Sequence, residues 1–111
     1  MRQIVLRLVL CTQVCLAVLA VPSSLQAQSD GANIYKSKCV SCHAADGSGN
    51  SPAGKALKVK DLRSDETQKQ SDADLAGVIM KGRNKMPAFG QQLKPEEVQQ
   101  VVSYIRQLGK K

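Results

Sequence analysis

The chain has no tryptophan, one phenylalanine, two tyrosines and a single histidine in 111 residues. Each scarcity narrows what it can be. Tyr35, Phe89 and Tyr104 are too few to form a platform for stacking bases, and the lysines are scattered rather than bunched. Nucleic acid is therefore not an expected partner, although the formal net charge is +7. No stretch alternates apolar and polar residues as a half-buried strand would, and no segment repeats, so the expected fold is all-α with long loops. The only long apolar run, Leu8 to Val21, falls short of the roughly 20 residues that span a bilayer.

That run has a different use. Arg2 and Arg7 precede it, Pro22-Ser23-Ser24 breaks it, and Leu25-Gln26-Ala27 supplies a small residue for cleavage. This is the anatomy of an export signal. Residues 1–27 are read as a signal peptide and 28–111 as one domain, with a periplasmic location and no stable membrane insertion after cleavage. Retention as an anchor is the alternative. Cys11 and Cys15 follow Leu10 and Val14, neither of them small, which argues against lipidation.

Cleavage after Ala27 would leave 84 residues with two cysteines, Cys39 and Cys42, in the run Cys39-Val40-Ser41-Cys42-His43. Thiols three apart share one face of a helical turn, so both can bond to one edge of a porphyrin. The histidine that follows is then carried under the ring, towards iron. This is the pattern of covalent haem attachment. A disulfide, a thioredoxin-like pair and a zinc half-site are the competing readings. A bridge between Cys39 and Cys42 would close too small a loop to stabilise much. A domain this short and this poor in aromatics also gains from a large apolar cofactor to pack around.

In chain order, Ser29-Asp30 can cap a helix running from Gly31 towards Cys39. Residues 44–52 are turn formers, and 53–61 read as a short irregular helix whose Leu57 and Leu62 side could line a cofactor edge. Arg63 to Gln70 reads as an exposed connection. Ser71, with Asp74 three residues on, opens a helix that Gly82 can close. Arg83 to Leu93 is non-helical. Pro95 starts the last helix, whose Val98, Val101, Val102, Ile105 and Leu108 form one apolar stripe before Gly109.

His43 is the chain's only histidine, so a second axial ligand must be of another type. Met86, in an irregular segment before Pro87, is better placed for this than Met80 in mid-helix, with lysine a weaker option. A neutral thioether favours ferrous iron, and two protein ligands leave no open position for substrate. That arrangement carries electrons and performs no bond chemistry, so no enzyme activity is expected. The alternatives are a haem sensor or peroxidase-like protein with a labile Met86, and an electron-transfer subunit of a larger oxidoreductase.

Gly31, Tyr35, the Cys39–His43 motif, Pro52, Met86-Pro87-Ala88-Phe89-Gly90 and Tyr104-Ile105 together resemble the small soluble class I monohaem cytochromes c of bacteria. The resemblance covers roughly Gly31 to Leu108. It implies three to five short helices wrapped around one covalent haem c, with the first and last helices crossing at Gly31 near Tyr104. It implies that His43 and Met86 bind the iron and that the Pro52 carbonyl orients His43. Phe89 and Tyr104 join Leu57 and Leu62 as residues against the cofactor. Ala44 departs from the glycine that many relatives carry. The expected role is a monomeric one-electron shuttle. Without Arg2 and Arg7, 14 basic residues face 9 acidic ones, a formal +5, which two propionates reduce to about +3. Lys55, Lys58, Lys81 and Lys85 would meet acidic surfaces on redox partners.

Overall fold

The computed structural model describes residues 23–111, so the expected signal peptide lies outside the described residues except for its last five. Six helical segments occur among the described residues: α1 (Ser23–Lys38), α2 (Val40–His43), α3 (Pro52–Leu57), α4 (Asp65–Gln68), α5 (Asp72–Lys81) and α6 (Pro95–Leu108). Two of them, α2 and α4, are single turns. No named strand occurs among the described residues, and one isolated bridge joins Arg83 to Met86. None of the described helices is long and apolar enough to cross a membrane.

The first helix is longer than its sequence signals suggest. Ser29 and Asp30 do not cap it but sit inside it. The Ser29 hydroxyl donates back to the Gln26 carbonyl at 2.7 Å, the bond a serine makes when a helix continues past it. Gln26 also donates to Asp30 one turn on. The expected cleavage point after Ala27 therefore falls within α1.

Two helices match their signals closely. At α5 the Ser71 hydroxyl accepts from the Asp74 N–H and the Asp74 carboxylate accepts from the Ser71 N–H, each at 3.1 Å. This reciprocal pair satisfies two donors that a helix start would otherwise leave free. At α6, Pro95 occupies the first turn and the Lys94 N–H donates to Glu97 at 2.7 Å. The predicted stripe of Val98, Val101, Val102, Ile105 and Leu108 is wholly buried. Each such side chain contributes about 1.5–3 kcal/mol on leaving water.

The core forms where α6 meets Leu75, Ala76 and Ile79 of α5 and Leu93. On its other side α6 crosses α1 at Gly31. A methyl group there would run into the Gln100 carbonyl and approach the Tyr104 side chain, so only glycine lets the two backbones come this close. One turn along, the Tyr35 and Tyr104 rings stack with centroids 5.1 Å apart, tilted by 54°.

The connection expected to be exposed contains α4. Ser64 caps it, and Thr67 is buried with its hydroxyl donating to the Asp61 carbonyl. Gln68 reaches out of this turn to the carbonyls of Leu62 (2.7 Å) and Ile105 (3.2 Å). Arg106 of α6 reaches the other way, donating to the Gln68 carbonyl at 2.8 Å and to Asp72 at 2.9 Å. A four-residue turn has no periodicity to read. Its position is set by these long-range bonds.

Candidate haem site

Cys39 follows the end of α1, and α2 carries Cys42 and ends on His43. One tight turn thus holds all three residues of the motif. The Cys42 and His43 N–H groups both donate to the Cys39 carbonyl, at 3.2 and 2.9 Å. Both thiols are free and half-buried. Burial pushes the Cys39 thiol up to about 11; the neighbouring Cys42 adds to this, and Lys38 opposes it. A redox-exchanging pair needs a thiol lowered towards neutrality, and burial moves Cys39 the other way.

His43 has its Nδ1 buried without a hydrogen-bond partner, and burial lowers the ring's basicity. A neutral imidazole with Nδ1 turned inward leaves Nε2 as the nitrogen free to meet a metal. Among the described residues, no three His, Cys, Asp or Glu side chains gather as a bare ion would require. Two free thiols beside one available imidazole instead suit a ligand that brings its own metal and has an edge to bond. The donor set fits haem.

The unpartnered Nδ1 also corrects one implication of the resemblance: His43 makes no bond to the Pro52 carbonyl. The seam between α2 and α3 is made by the residue before it. The Ser51 hydroxyl lies 2.8 Å from the Ser41 carbonyl and 3.0 Å from the Cys42 carbonyl, sharing one proton between them, and accepts from the Gly54 N–H at 2.9 Å. Gly54 packs so tightly that a methyl group would strike the Gly49 and Cys42 carbonyls. Pro52 itself is exposed, in the first turn of α3. Ser51 was not singled out from sequence, although Ser-Pro followed by Gly54 is a legible cap signal.

The loop after the motif is unusual at its first residue. Ala44 has φ 63° and ψ 162°, a combination that is essentially glycine's alone. Its carbonyl accepts from the Tyr35 hydroxyl at 2.8 Å and from the Gly47 N–H at 3.2 Å. The His43 carbonyl beside it accepts from the Gly49 N–H at 2.8 Å. Burial keeps the Tyr35 hydroxyl firmly protonated, with the nearby Cys39 adding to the effect.

Met86 sits in a two-residue hairpin. Its N–H donates to the Arg83 carbonyl at 2.9 Å and its carbonyl accepts from the Arg83 N–H at 3.1 Å, with Asn84 at φ 51° making the turn. The following residues are tied to the end of α5, since the Phe89 N–H donates to the Ile79 carbonyl and the Gly90 N–H to that of Met80. Met86, Phe89, Leu62 and Ile34 each pack, half-buried, against the core. Leu57 is not among them; it is 37% exposed. Met80 is 38% exposed on α5, and Tyr104 stands at the helix crossing against Tyr35.

Comparison with known proteins agrees with this geometry. Residues 26–105 match the family described as cytochrome c oxidase, cbb3-type, subunit III. Cytochrome c6 of Anabaena variabilis is 40% identical over 81 residues, covering 73% of this chain and 88% of that protein. Cytochrome c6 of Microcystis aeruginosa is 37% identical over 76 residues, covering 68% and 90%. Among solved structures, the KustC0563 c-type cytochrome superposes with a TM-score of 0.65 at 33% identity, covering 71% of this chain and 96% of that one.

Proposed function

The chain belongs to the small class I monohaem cytochromes c, all-α proteins with one covalently bound haem c, and from that premise we propose that it is a periplasmic one-electron carrier with His43 and Met86 as axial ligands. Bound haem supplies the ferric–ferrous couple. Cys39 and Cys42 hold it by thioether bonds, and His43 offers Nε2 from the end of the same turn. Met86 offers its sulfur from a hairpin closed at both backbone groups. Were His43 and Met86 both to bind the iron, no position would be left for substrate, and the same ligands would serve both oxidation states. Electron transfer then needs little rearrangement.

The observation that carries this reading is a single tight turn that presents two free thiols and one imidazole with a buried, unpartnered Nδ1. Two relatives that the match covers to 88% and 90% of their length are cytochromes c6, whose name supports carriage of electrons over catalysis. Lys55, Lys58, Lys81 and Lys85 are all exposed. They would meet acidic partner surfaces in brief complexes of a monomeric protein, so electron exchange should weaken as salt rises. Export rests on the sequence of residues 1–27.

Carbon monoxide added to the reduced protein at neutral pH is the test. A carrier with both positions filled shows a low-spin spectrum that carbon monoxide leaves unchanged. Ready binding would instead favour a sensor or peroxidase-like protein.

A further inference from the structure

Ala44 occupies backbone space that a residue with a Cβ avoids, immediately after the residue read as the iron's nitrogen ligand. Something must hold it there. The backbone around it is pinned: the Ala44 N–H donates to the Val40 carbonyl at 2.9 Å, the His43 carbonyl accepts from Gly49, and the Ala44 carbonyl accepts from the Gly47 N–H at 3.2 Å. A further restraint, and the shortest bond to the Ala44 carbonyl, comes from another helix. Tyr35 is 1% exposed on α1 and directs its hydroxyl nine residues along the chain to the Ala44 carbonyl, at 2.8 Å. Its ring is clamped from behind by Tyr104 of α6, so the hydroxyl cannot follow if the turn relaxes.

We propose that Tyr35 is a positioning residue for His43: its hydroxyl locks the strained Ala44 turn, and the turn fixes the orientation of the imidazole towards iron. The role rests on His43 being an axial ligand. Strain and restraint are matched across two contacts. The alanine tends to rotate to negative φ, which would swing its carbonyl away and release the end of α2; the hydroxyl opposes that rotation. With glycine at position 44 the same conformation carries no strain and the hydroxyl becomes dispensable. The two residues should therefore be coupled, although one is a core aromatic and the other a loop residue.

The test compares four holoproteins: wild type, Y35F, A44G and the double variant. Y35F keeps the ring and its stacking. Beyond any change shared by all amides, it should speed hydrogen exchange at the Ala44 and Gly49 N–H groups by about fivefold, the factor expected for one hydrogen bond. It should also displace the hyperfine-shifted resonances of the His43 ring in the ferric protein. In the double variant, A44G should remove most of both effects. Acceleration spread evenly over all amides, unmoved His43 resonances in Y35F, or effects that persist undiminished with A44G would each overturn the positioning role. A wild type without hyperfine-shifted His43 ring resonances would overturn the ligation itself, and the positioning role with it.

Discussion

Gly31 of α1 lies directly against the backbone carbonyl of Gln100 in α6, with no room for a single methyl group between them. The obstacle is backbone at the centre of a helix, which cannot move aside as the tip of a long side chain could. G31A should therefore lower the stability of the holoprotein by about 1–3 kcal/mol, the usual cost of overpacking. Guanidinium denaturation followed by helical circular dichroism would measure it. An unchanged midpoint would mean that the helices do not cross at this point.

Met86 can be removed without touching the attachment turn. M86A should keep haem covalently bound, lower the reduction potential within the roughly 0.8 V range that axial ligands govern, and let carbon monoxide bind. M80A, at a residue 38% exposed on α5, should do none of these. If M80A opens the iron instead, the ligand assignment is wrong.

Ser51 joins α2 to α3 by its hydroxyl alone. S51A removes the cap of α3 and the bond shared by the Ser41 and Cys42 carbonyls. Thermal unfolding should register a loss of about 1–2 kcal/mol, in the upper part of the range for a lost helix cap. Mass spectrometry should still find the haem attached, because neither thiol is altered.

Acid should weaken the contact between Asp61 and Arg63. Arg63 grips both Asp61 carboxylate oxygens, at 2.9 and 2.8 Å, and this pairing holds the Asp61 carboxyl below its ordinary value. A depressed carboxyl stabilises the fold above its unfolded value of about 3.9, and that contribution fades as pH falls through the lower folded value. D61N should thus be less stable than wild type at neutral pH, and the gap should close on acidification below about pH 4. Parallel denaturation curves at several pH values would show a gap constant with pH if the ion pair were not responsible.

The parts legible in sequence were those written in short-range repeats. The α6 stripe from Val98 to Leu108 and the Ser71–Asp74 cap each need only a few consecutive residues to be read. So did the motif turn, since Cys39, Cys42 and His43 carry their spacing with them. What escaped was set by contacts between distant residues. Nothing near Gln68 announces that it will bond Ile105, 37 residues on, and α4 is placed by that bond. Ser51 bonds Ser41 across ten residues, and no short stretch of sequence displays that link.

The crossing of α1 and α6 also governs when the protein can form. Gly31 and Gln100 are separated by about seventy residues, and bringing them together closes a long loop before any contact rewards it. Folds that depend on such distant pairings are slow to close. During synthesis the core has no α6 to pack against until residue 108 has been made, so Leu75, Ile79 and Tyr35 stay wet. The core therefore cannot close until its last helix has been made.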